Sequence, residues 1–193
     1  MLRILLIQPG STDLDEQGRI KGSLDLPLSV NGAGQASRVA EQLSDEPIEA
    51  IYASPSQSAV QTATAIARNR RVRLRRLGKL RNVDHGLWHG KLIEEVKQRL
   101  PRAYRRGQDN PEEFCPPEGE PLAAARQRAQ SVLNRLIKKH KSGTVALVVP
   151  EPMATVIRRL LDADPMESVW KSEKDCGGWT LIELPASEVP IAI

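Results

Sequence analysis

Residues 2–8, apolar but for Arg3 and the terminal Gln8, are closed by Pro9-Gly10 and read as a strand entering a turn. Apolar character without alternation suits a parallel sheet covered on both faces. Residues 11–28 are polar and carry Gly18, Gly22 and Pro27, the signature of a long loop. Ser29 is placed to cap a helix whose apolar face runs through Val39, Ala40 and Leu43. A short strand at 51–53 enters Ser54-Pro55, and a helix follows through Ala59, Ala63 and Ile66. Residues 72–77 alternate apolar side chains with arginine, as in a strand with one solvated face. Helices are predicted at 93–100, 122–139 and 154–162, and strands at 144–149 and 179–184. The proline-bearing stretch 102–121 reads as a surface loop.

Strands alternating with helices predict one α/β domain over residues 1–193: a three-layer α/β/α sandwich with a mostly parallel central sheet. Three predicted strands end in loops that precede helices, at 8–10, 54–55 and 150–152. Ligands on such sheets bind beyond the carboxyl ends of the strands, so these loops are expected to surround one pocket. No apolar run approaches the roughly 20 residues of a membrane helix, and the first one lacks the form of a secretion signal. Two cysteines, Cys115 and Cys176, stand in no pairing motif, which excludes a disulfide scaffold and fits a reducing cytoplasm.

Charge changes the picture only once it is localised. The net +4 divides into −4 over residues 1–67, +10 over 68–109 and −2 over 110–193. The densest part contains Arg68, Arg70, Arg71, Arg73, Arg75 and Arg76. One reading is a patch for an anionic partner; the other is a solvated edge strand whose arginines discourage pairing. None of the six aromatics lies between 68 and 81, which weighs against single-strand nucleic-acid binding.

Five spaced motifs, within Leu5 to Thr12, Gly18 to Ala36, Ser54 to Ala63, Leu80 to Gly90 and Pro117 to Glu120, follow one another in order, and through them the chain resembles the histidine phosphatase superfamily, also called phosphoglycerate mutase-like. Leu5-Leu6-Ile7-Gln8-Pro9-Gly10-Ser11-Thr12 stands where the family has an apolar strand and Arg-His-Gly-Glu-Thr. Gly18 to Ser29, with Gly32 and Gln35-Ala36, is similar to the family's next stretch. Ser54-Pro55-Ser56-Gln57-Ser58-Ala59-Val60-Gln61-Thr62-Ala63 resembles Ser-Pro-Leu-x-Arg-Ala-x-Gln-Thr-Ala. Leu80-Arg81-Asn82 with Gly86-Leu87-Trp88-His89-Gly90 is similar to Leu-x-Glu and Gly-x-Trp-Glu-Gly, and Pro117-Glu118-Gly119-Glu120 resembles the Gly-Glu-Ser element.

The resemblance implies the family's fold and a chemistry of few parts: a histidine nucleophile, two arginines, a second histidine and an acid. It assigns those roles to Pro9, to Gln8 and Ser58, to Glu151, and to Asn82. None of the five side chains matches its role. Losing a nucleophile costs on the order of 10⁶-fold in comparable covalent mechanisms. The expectation is therefore a catalytically inactive phosphatase-like protein, a pseudoenzyme acting as a binding or regulatory module. The ligand-pocket residues are then Gln8, Gly10, Ser11, Thr12, Ser58, Asn82 and Glu151. Two alternatives stand beside it: an enzyme of different chemistry with Glu151 as general base, and anion or nucleic-acid binding through residues 68–81.

The remaining candidates receive plainer readings. His85 and His89 flank Trp88 between glycines and read as structural or solvated, and His140 as a surface residue at a helix end. Neither a cofactor nor a metal is expected. The partner is expected to be a small molecule or a protein rather than nucleic acid or a membrane. The apolar tail 185–193 offers a surface for a homodimer.

Overall fold

A computed structural model describes residues 1–68, 70–109, 115–162 and 176–185. Five strands, β1 (Leu2–Ile7), β2 (Ile48–Ala53), β3 (Arg73–Arg76), β4 (Gly143–Val148) and β5 (Trp179–Leu184), form one sheet in the order β3-β2-β4-β1-β5. The pairs β1–β4, β2–β4 and β2–β3 are parallel and β5 runs antiparallel to β1. The apolar run of β1 is buried on both faces, as a covered parallel strand must be. Ile4 and Leu6 enter one core with the apolar faces of α6 (Leu122–Lys139) and α7 (Met153–Asp162). Leu5 and Ile7 enter the other, with α2 (Val30–Gln42) and α3 (Gln57–Ala67). The result is the three-layer sandwich that the alternation predicts.

Local signals account for most element ends. Ser29 caps α2, its Oγ accepting a hydrogen bond from the Gly32 N–H at 2.9 Å. Edge position explains the arginines of β3: the strand borders the sheet and Arg73, Arg75 and Arg76 are exposed.

Two predicted loops contain helix. Within residues 11–28 a single turn, α1 (Asp13–Glu16), forms because Thr12 and Asp15 close a capping box. Within 102–121, helix α5 (Pro101–Asp109) follows α4 (Ile93–Arg99). Pro101 stands at the first helical position, where a missing N–H costs nothing, so the proline starts a helix rather than breaking one. Residues 186–193, the rest of the predicted apolar tail, lie outside the described residues.

Candidate functional site

Because β1, β2 and β4 are parallel neighbours, their carboxyl ends fall on one sheet edge, and the loops that follow them meet there as expected. Gln8 and Glu151, 143 positions apart, are both buried, and the Gln8 Nε2 donates to Glu151 Oε1 at 3.2 Å. Asn82 arrives from the loop after β3. Its Nδ2 donates to the Glu151 carbonyl at 2.6 Å and the Gly22 carbonyl at 2.9 Å, while its Oδ1 accepts from the Met153 N–H at 3.3 Å. The amide thus ties three chain segments together, a task that takes two donors and an acceptor and that no carboxylate performs.

Glu151 is 5% exposed. Burial pushes its carboxyl above the usual carboxylate range, against the hydrogen bonds from Gln8 and Thr155 and the charge of Arg158. The Thr155 N–H donates to Oε2 at 2.8 Å, and Arg158 lies 3.5 Å from Oε1. The same side chain therefore steadies the first turn of α7 and places a buried, protonatable group at the strand ends.

The other expected pocket residues are placed differently. Pro9 is buried, and its carbonyl accepts from the Gly177 N–H at 2.9 Å. Ser58 is buried at the start of α3, its N–H donating to the Leu26 carbonyl at 3.0 Å. Gly10, Ser11 and Thr12 turn their polar atoms to the scaffold. The Gly10 N–H donates to Thr62 Oγ1 at 3.2 Å, the Ser11 N–H to Gln35 Oε1 at 2.8 Å, and the Ser11 hydroxyl to Glu16 at 3.0 Å. Both the N–H and the hydroxyl of Thr12 donate to Asp15.

Beside Asn82 opens a cavity of about 280 Å³, walled by the loops 22–25, 54–56 and 81–82. Of the five positions that the resemblance singles out, Asn82 alone lines it. Ser54, Ser56 and Arg81 also line it, and sequence reasoning passes over them: a serine beside a proline reads as a turn, and an arginine in a basic segment reads as solvated. The hydroxyl oxygens of Ser54 and Ser56 are buried without a hydrogen-bond partner among the described residues.

His85 and His89 take the structural place their sequence reading allows, whereas His140 departs from its own. His85 is 1% exposed, and burial holds its imidazole down at about pKa 4. His89 Nε2 accepts from the N–H groups of Ser23 and His85, each at 3.2 Å. Both rings back onto Gly22, where a Cβ would lie 2.5 Å from His89 Nε2 and 2.9 Å from His85 Nδ1, so the cavity loop is seated on the histidine pair. His140 is not a plain surface residue, since its Nε2 lies 2.9 Å from the Tyr52 hydroxyl. In the basic segment, Arg68 and Arg71 are exposed, and Arg70 donates to the carbonyls of Leu43 and Glu46.

Comparison with known proteins agrees with this architecture. The family described as "Histidine phosphatase superfamily (branch 1)" matches residues 4–191. The chain is 30% identical over 185 residues to phosphoserine phosphatase 1 of Hydrogenobacter thermophilus, covering 95% of this chain and 87% of that one. It is 22% identical over 183 residues to the adenosylcobalamin/alpha-ribazole phosphatase of Escherichia coli, covering 95% and 90%. The structure of Bacillus stearothermophilus YhfR superposes with a TM-score of 0.82 at 25% identity, covering 96% of this chain and 92% of that one.

These relatives correct the expectation of an inactive pseudoenzyme. They are named as phosphatases, one of them at 30% identity over nearly the whole chain, and they point to phosphatase activity. The side chains at positions 8, 9, 58, 82 and 151 speak to one route, through phosphohistidine at position 9, and phosphomonoester cleavage has another, by direct attack of water.

Proposed function

The chain belongs to the histidine phosphatase superfamily, and from that premise we propose that it hydrolyses a phosphate monoester at the carboxyl edge of its sheet. The observation that carries this reading is the Glu151 carboxyl, buried at the strand ends directly behind Asn82, whose amide donates to the Glu151 carbonyl and lines the cavity. A carboxyl whose protonated form is favoured by burial serves as a proton donor and, once ionised, as an acceptor. In the reaction a water oxygen attacks phosphorus and the bond from phosphorus to the alcohol oxygen breaks. Glu151, which stands behind Asn82 rather than on the cavity wall, passes its proton to the departing oxygen through one water. The attacking water, in line on the far side of phosphorus, gives its proton to a phosphoryl oxygen. Gln8 and Arg158 hold the carboxylate in the interval.

The relatives' names suggest the substrate class, a phosphate ester of a small organic alcohol. Two cysteines far apart in the chain suit the cytoplasm as its place of work.

Release of inorganic phosphate from O-phosphoserine and p-nitrophenyl phosphate by the purified protein tests the reading. Turnover is expected, with Glu151→Gln slower by about 10²- to 10⁴-fold, the usual contribution of a general acid–base group. No release from any monoester between about pH 5 and 8, or full activity in E151Q, overturns it.

A further inference from the structure

We propose that Ser54, Ser56 and Arg81 form the subsite that receives the phosphoryl oxygens of the ester. The inference takes its ligand from the hydrolysis reading and its residues from the cavity. A buried hydroxyl without a partner is costly, and native chains leave few. This chain keeps two of them within three residues, both on residues lining the same cavity. Ser54 is fully buried at the carboxyl end of β2, and Ser56 directly precedes α3. Rotation about one bond re-aims each hydroxyl between staggered positions.

Arg81 supplies the charge. Its side chain is half exposed and pairs with Glu120 at 3.3 Å, whereas Glu120 is held more closely, at 2.8 Å, by Arg128. Arg81 therefore turns to a ligand without leaving Glu120 unpaired. One acidic group, Asp25, shares the wall, and its Oδ1 already accepts from the Gln57 N–H at 2.7 Å, at the positive end of the α3 dipole. Two hydroxyls and a forked guanidinium offer more donors than the two oxygens of a carboxylate take, and they suit the three outer oxygens of a phosphoryl group. A cavity of about 280 Å³ holds that group with a short alcohol.

Calorimetric titration of the full chain with inorganic phosphate, and with acetate as the carboxylate arm, tests the assignment. Phosphate is expected to bind, and Arg81→Gln and the double variant S54A/S56A to weaken it about tenfold or more, the effect of losing one charge-assisted hydrogen bond. Acetate is expected not to compete. Ser54→Ala is expected to keep the wild-type melting temperature, because an unpartnered hydroxyl holds nothing in place. Arg81, being half exposed, is replaced without risk to folding, so R81Q decides the matter if the serine variants misfold. Absence of phosphate binding, unchanged affinity in R81Q, or equal competition by acetate overturns the proposal. Phosphate binding with the predicted losses but no ester hydrolysis leaves the subsite standing and removes the hydrolysis reading. Hydrolysis with an unchanged KM in R81Q does the reverse.

Discussion

Arg128 organises the Asn82 loop although nothing in its sequence surroundings marks it. It sits on α6 among residues that read as a solvated helix face, yet it forms a forked pair with Glu120 and donates to the carbonyls of Lys79, Arg81 and Asn82. Burial raises the Glu120 carboxyl, but the Arg128 hydrogen bonds and charge prevail and bring it below the usual range. In Arg128→Ala the three carbonyls lose this donor and Glu120 keeps the longer contact to Arg81. Breaking a largely buried pair by removing one member costs about 3–5 kcal/mol. A loss of about 3 kcal/mol is expected here, read from urea unfolding. Arg128→Lys is expected to recover less than half of it, because one ammonium cannot reproduce the planar fork. A lysine variant as stable as the wild type would show that the fork is dispensable.

At the scale of elements, the turn after β1 lies against the first turn of α2 backbone to backbone. A Cβ on Gly10 would overlap the Gly32 carbonyl, and one on Gly32 would overlap the Ser11 carbonyl. The two glycines let the loop that carries Gln8 and Pro9 lie flat on the helix that Ser29 caps. Gly10→Ala must push these backbones apart, at roughly 1–3 kcal/mol for overpacking, and it moves Gln8 away from Glu151. A lowered denaturation midpoint is expected, and an unchanged one would mean that the loop moves freely. Such proximity explains what was legible in the sequence and what was not. Strand runs, the Ser29 cap, the arginine-bearing edge strand and the meeting of three loops all follow from local pattern and from the rule for parallel sheets. The Gln8–Glu151 bond, the histidine pair under Gly22 and the unpartnered Ser54 hydroxyl join residues distant in sequence or depend on side-chain burial, which no local pattern encodes. Helix α5 escapes local pattern for a different reason: it carries few apolar residues, so no apolar face marks it in the sequence.

At the scale of the whole molecule, the crossover order β3-β2-β4-β1-β5 draws titratable groups into the interior, and their opposed shifts shape stability as a function of pH. His85 has a folded pKa of about 4 against an ordinary 6.5. The unfolded chain therefore binds the additional proton between those values, and stability rises with pH across that window, by roughly 3 kcal/mol in total. Glu120, lowered in the fold, acts in the same direction, its contribution being lost as pH falls. Glu151 acts oppositely. Its folded pKa is raised, so its contribution is complete below the ordinary 4.5 and disappears as pH climbs through the raised value. Above pH 4.5 the gain from His85 is therefore offset in part by the loss from Glu151, and the net rise towards pH 6.5 is shallower than His85 alone would give. Removing the carboxyl in Glu151→Gln leaves His85 and Glu120 in charge, so the rise of stability with pH should steepen. Urea unfolding of both proteins from about pH 4.5 to 8.5 gives the two curves. A rise of the same slope with and without the carboxyl would mean that Glu151 titrates as an ordinary exposed glutamate, which would withdraw the proton-transfer role proposed for it.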